Sequence, residues 1–192
     1  RKDYEALVSF LLSRFQLSIN LAIEEASTIS DIFLRRARTK TCFDHLDLVY
    51  SGQTSVDFLK CQVASNSNLL TVWLKGDWPP EILPSLKTFL ERDNICVRLP
   101  YSLKLDFNFV KSVVEHWATH NRERRQLYFS ADFKTDRFGE FMEKKSDFYY
   151  SIPTKDAKNK VTAGFDRSTH VLYAVYSKYQ TPVVSVSDDS DW

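Results

Sequence analysis

Four residues have the right types to hold a metal ion. Cys42 and His45 form a C-x-x-H pair, and His116 and His120 form an H-x-x-x-H pair that would share one helix face, so together they could supply four zinc ligands. The context argues otherwise: the two pairs are far apart in sequence, and the face carrying the histidines also carries Val113 and Trp117. Histidines at the rim of a core account for the same pattern. As a nucleophilic pair, Cys42 and a histidine lack a third residue to orient the base. The carboxylates Glu24, Glu25, Glu81, Glu140 and Glu143 are scattered and read as solvated helix faces. We expect no catalytic residue, no metal and no cofactor.

The glycines support that expectation. Among 192 residues only four are glycine, Gly52, Gly76, Gly139 and Gly164, and no two can share a loop. Dinucleotide fingerprints, phosphate loops and nucleophile elbows need clustered glycines, because the backbone must turn with positive φ or approach a phosphate closely.

Lys and Arg total 26 against 25 Asp and Glu, so no global field draws the protein to nucleic acid or to a membrane. Two local basic clusters remain, Arg35, Arg36, Arg38 and Lys40, and Arg122, Arg124 and Arg125. Each follows an expected helix end, where cations complement the dipole. With Trp117 and Tyr128 nearby, they support an alternative reading as a nucleic-acid-associated protein. Three widely spaced cysteines, Cys42, Cys61 and Cys96, read as reduced thiols. With no secretory signal and no apolar stretch of about 20 residues, we expect an intracellular protein, nuclear or cytoplasmic, without membrane contact.

The elements that would position these residues follow from periodicity. Tyr4, Leu7, Val8, Leu11, Leu12 and Phe15 form an amphipathic helical stripe, and a weaker helical pattern runs from Leu21 to Ala37. Residues 1–40 are therefore expected to form a helical cap. Over 43–133 short apolar pairs recur, Leu46/Leu48, Val72/Leu74, Val97/Leu99 and Leu127/Phe129. Helices are expected between them at 55–64, 80–92 and 107–119. The period resembles that of leucine-rich repeats, and strand–helix–strand succession implies parallel strands with right-handed crossovers. From 134 to 180 a short helical piece near Gly139–Lys145 precedes three Tyr-, Phe- and Val-rich runs that read as an antiparallel β-meander. Residues 1–180 then form one α/β domain, and 181–192 an acidic tail.

Two binding surfaces follow. If the apolar pairs face the helices, the residues between them face the other way, because side chains alternate along a strand. Those are Asp47, Trp73, Arg98 and Tyr128, one per strand, with the composition of a protein-binding hot spot. Burial of this face beneath the N-terminal helices would instead make Trp73 core. In the tail, Val183, Val184 and Val186 followed by Asp188 and Asp189 match the pattern of SUMO-interacting motifs, which bind by strand addition with an acidic flank against a basic rim.

The run Leu74-Lys-Gly-Asp-Trp78-Pro79, the strand at Ile95 to Leu99, Leu103-x-Leu105 and the helix ending His116-Trp117 resemble nematode F-box-associated proteins of leucine-rich-repeat-like type. That resemblance implies a substrate-recruiting role in ubiquitin ligation and no catalytic residue. No F-box is recognisable in the chain. The sequence thus predicts a non-catalytic protein-interaction module of adaptor type, built from leucine-rich-like βα repeats.

Overall fold

The computed structural model describes residues 6–7, 10, 19–40, 43–120, 124–147, 149–154, 159–166 and 171–177. The stripe from Tyr4 to Phe15 falls almost wholly outside them; of its members only Leu7 is described, helical and exposed. The tail residues Val183, Val184, Val186, Asp188 and Asp189 also lie outside the described residues, as do Cys42 and Arg122.

Strand β1 (Ile19–Ile23) and helix α1 (Thr28–Ala37) open the described chain, followed by β2 (Phe43–Val49), α2 (Gln53–Ser65), β3 (Thr71–Lys75), α3 (Leu83–Leu90) and β4 (Ile95–Arg98). Then come β5 (Lys104–Leu105), α4 (Phe107–Thr119), β6 (Arg125–Ala131), β7 (Glu143–Ser146), β8 (Tyr149–Pro153), β9 (Lys160–Asp166) and β10 (Val171–Ser177). Short 3-10 turns at Pro80–Ile82 and Thr135–Glu140 precede α3 and β7. One mixed sheet runs in the order β1-β2-β3-β4-β6-β10-β9-β8-β7, with the two-residue β5 paired to β6.

The α/β class stands, with parallel strands from β1 to β6 and an antiparallel meander beyond. The structure does not show the expected leucine-rich-repeat solenoid. In a solenoid each unit touches only its neighbours, whereas here the last strand, β10, returns to pair with β6, and α4 packs on β9 and β10. The apolar pairs required only a buried strand and a crossover helix, which any βαβ unit supplies. The helical cap is corrected too. Ile19–Ile23 is an edge strand parallel to β2, and the helix expected from Leu21 begins only at Thr28. Ser27 ends the nonhelical stretch, because its hydroxyl accepts from the Ser30 amide while the Ser30 hydroxyl accepts from the Ser27 amide. Likewise the helical piece near Gly139–Lys145 is a 3-10 turn ending at Glu140, followed by a strand.

The four pairs point at the helices as their alternation requires. Leu46, Leu48, Val72, Val97, Leu127 and Phe129 are fully buried, and Leu46 stands beside Val72, Val72 beside Val97, and Val97 beside Leu127. Parallel crossovers that advance in one direction with a fixed hand place their helices on one face. Accordingly α1 packs on α2, α2 on α3 and α3 on α4. A register slip between Ile19 and Asn20 leaves Asp44 without a counterpart on β1 and turns Phe43 toward the helices, where its ring meets Phe58 edge-on at 5.9 Å.

A recurring device closes the helix ends. The final carbonyls of a helix lack intrahelical donors, and here the following unit supplies donors to them or to the carbonyls just past the helix end. Gln62 of α2 donates to the carbonyls of Arg38 and Lys40 beyond α1. Arg92, past α3, donates to the carbonyls of Asn66, Val63 and Ala64 at the end of α2. Trp117 of α4 donates its indole N–H to the Leu90 carbonyl (2.7 Å), and Arg125 of β6 donates to the carbonyls of Arg92 (2.9 Å) and Glu91 (3.4 Å).

Candidate binding face of the sheet

The residues between the apolar pairs form one continuous row. In the sheet register Asp47 stands beside Trp73, Trp73 beside Arg98, and Arg98 beside Tyr128. The row extends beyond the four expected members, to Ala22 on β1 at one end and to Tyr173 on β10 at the other. Gly164 follows beside Tyr173, and Tyr149 beside Gly164. At about 4.8 Å per strand, Asp47 to Tyr173 covers about 19 Å. The crossover helices α1 to α4 stand on the opposite face, toward which the apolar pairs point. Asp47, Trp73, Arg98, Tyr128 and Tyr173 are each half-buried, and Asn20 and Ala22 of β1 are exposed.

The row is ordered by its own contacts. The Trp73 ring meets the His45 ring edge-on at 4.9 Å, and the Arg98 guanidinium lies 6.0 Å from the Trp73 ring centroid. Asp47 Oδ2 accepts from Lys75 Nζ at 2.9 Å, while Oδ1, also buried, has no partner among the described residues.

Titration in the row does not create a nucleophile. Burial pushes the Cys96 thiol above its ordinary value, against the opposing effects of a hydrogen bond with Trp73 and the charge of Arg98. A raised thiol is a poor source of thiolate. Burial also raises Tyr128, with Cys96 adding to it and Arg98 and Arg124 opposing, and it raises Tyr173, with Tyr149, Asp166 and Tyr128 adding to it. Both phenols stay neutral at physiological pH and act as apolar rings with one hydroxyl each.

The other candidate residues are dispersed. His45 lies on the sheet face away from the helices, whereas His116 and His120 sit on α4 and just past it, so the three histidines do not converge. Among the described residues no cluster of three or more His, Cys, Asp or Glu could hold a metal ion. His116 and His120 instead stack on one another, with ring centroids 4.1 Å apart. His116 is held below its ordinary value of 6.5, chiefly by burial, with the charges of His120 and Arg125 adding and Glu91 opposing.

Below 6.5 the unfolded chain takes up a proton at His116 that the folded chain resists. Stability contributed by the neutral ring is therefore present above that value and lost as the pH falls through it. Melting temperature should drop between about pH 7.5 and about pH 5.5, and His116→Gln should flatten the drop. Parallel profiles for the two proteins would refute the assignment.

The basic clusters are reassigned in part. Arg125, expected as a nucleic-acid contact, is fully buried and bonded to Asp93 Oδ1 at 2.9 Å as well as to backbone carbonyls. It caps a helix and presents nothing to a phosphate. Arg38 pairs with Asp57 at 3.8 Å, while Arg35, Arg36 and Arg124 are exposed. The first cluster lies at the end of α1 and Arg124 just before β6, with α2 and α3 between them. Neighbouring helix axes lie about 8–10 Å apart, so the two clusters do not merge into one patch.

Among the described residues no helix is long and apolar enough to cross a membrane. No protein-family model, curated protein or solved structure matches the chain.

Proposed function

We propose that the protein is a non-catalytic protein-interaction module of adaptor type, and that its partner docks on the row Asp47, Trp73, Arg98 and Tyr128. The observation that carries this reading is the register, which joins Trp73, Arg98, Tyr128 and Tyr173 into one continuous strip. These residue types dominate the energetics of protein interfaces. Their mutual contacts also hold the rings in place before binding, which lowers the ordering cost of association. The resemblance to nematode F-box-associated proteins fits a substrate-recruiting adaptor inside the cell.

The test uses the full chain as bait. Trp73→Ala combined with Arg98→Ala should reduce capture of specific partners by at least about thirtyfold, as loss of a 2 kcal/mol anchor requires, while the melting temperature stays within a few degrees. A large fall in melting temperature would show instead that the two side chains belong to the core. Partners retained in full by the double variant would place the interface elsewhere. The second proposed contact, the valine-acidic tail, is tested separately by titrating SUMO against chains with and without residues 181–192. Equal affinities would remove the tail from the reading.

A further inference from the structure

The two edges of the sheet are treated differently. At one edge, β7 carries Glu143, Lys144 and Lys145, all exposed, with Lys145 paired to Glu143 and Lys144 paired to Asp147. Charges of this kind block an edge strand from pairing with another chain. At the other edge, β1 reads Ile-Asn-Leu-Ala-Ile and contains no charge, proline or glycine. Its outer backbone groups have no strand partner among the described residues.

We infer that β1 is a dimerisation edge, pairing antiparallel with β1 of a second copy about a two-fold axis at Leu21. The sequence is self-complementary in that register. Ile19 stands opposite Ile23 of the second copy, Asn20 opposite Ala22, and Leu21 opposite itself. Glu24 and Glu25 are exposed just beyond the C-terminal end of the strand, and antiparallel pairing puts that end of the two copies at opposite ends of the interface, so no like charges meet. An isologous interface requires this kind of self-match.

The flank of α1 gives independent support. Asp31 and Arg38 reach toward the α2 side, to Ser51 and Asp57. Ile29 precedes Asp31 by two residues, about 200° around the helix, so it faces away from α2, and it is 51% exposed. Phe33, one turn on, is half-buried on the same flank, and Ile19 and Ile23 of β1 are also only partly buried. An apolar flank beside an unguarded strand is covered when a second copy extends the sheet. The same surface would accept any strand. The self-match and the absence of opposed charges favour another copy of this chain.

Asn20 and Ala22 are exposed on the sheet face and make good test positions, since changing them leaves the core untouched. Light scattering or sedimentation over a concentration series should show the full chain forming a dimer. Asn20→Lys with Ala22→Lys sets like charges opposite one another on both sides of the axis and should weaken dimerisation by about tenfold or more. Asn20→Lys with Ala22→Glu sets opposite charges in the same positions and should restore it. A wild-type monomer at every concentration overturns the proposal. So does a dimer indifferent to the double lysine change, or one that the lysine-glutamate combination fails to rescue.

Discussion

Replacing Arg125 with alanine is expected to cost about 3–5 kcal/mol of folding stability, measured as a shift in the urea midpoint at neutral pH. The guanidinium is fully buried and serves at least three acceptors, Asp93 Oδ1 and the carbonyls of Arg92 and Glu91, with its carbon 5.9 Å from the Tyr176 ring centroid. Truncation removes the donors and leaves the carbonyls at the end of α3 facing a cavity, where each unsatisfied group costs about 1–3 kcal/mol. Arg125→Lys should recover little, because an ammonium group cannot reproduce the planar fork that reaches separate acceptors. Asp93→Ala should cost less, since Asp93 is 35% exposed and the carbonyl acceptors remain. A loss below about 1 kcal/mol for Arg125→Ala would show that water replaces the guanidinium.

Trp117→Ala is expected to cost a similar amount, about 3–5 kcal/mol, by a different route. Trp117 is fully buried between α4 and the sheet, and its indole N–H satisfies the Leu90 carbonyl at 2.7 Å. The volume and the hydrogen bond can be separated. Trp117→Phe keeps most of the apolar volume and loses the donor, so a substantial part of the alanine effect should remain after the hydrogen bond alone is removed. If phenylalanine matches the wild type, the Leu90 carbonyl has found another donor and the indole acts only by filling space.

The parallel half of the fold was legible in the sequence because alternation and helical spacing are local signals. Leu46/Leu48, Val72/Leu74 and Leu127/Phe129 mark strand faces, and helices expected at 55–64 and 107–119 correspond to Gln53–Ser65 and Phe107–Thr119. The adjacency of Asp47, Trp73, Arg98 and Tyr128 followed from the same reasoning, since equal apolar pairs on parallel neighbours set one register. Tyr173 was not legible as a member of the row. Its own strand was expected, but nothing local says that the last strand of a meander, rather than the first, docks on β6. Ile19–Ile23 was misread although Ile19, Leu21 and Ile23 alternate as a strand requires, because the run is only five residues long and leads directly into the helical pattern that was extended back to Leu21. Arg125 looked like a surface cation because its partners are backbone carbonyls at 91 and 92, groups that carry no sequence signature.

The closure of each helix by the next unit gives the fold a direction. During synthesis the turn after α1 gains the Gln62 donor only once α2 has emerged, the end of α2 gains Arg92 only after α3, and the end of α3 gains Trp117 and Arg125 later still. Each unit remains provisional until its successor leaves the ribosome, and a pause after any helix would hold that helix frayed at its end. Shortening the chain from the C-terminal side should therefore loosen the unit before the cut. Removing a unit from the N-terminal side leaves the closures of those that follow intact. A duplicated internal unit could be tolerated only where it brings its own donor for the unit before it, so growth of such a sheet by repetition would have to copy the strand, the helix and the donor together.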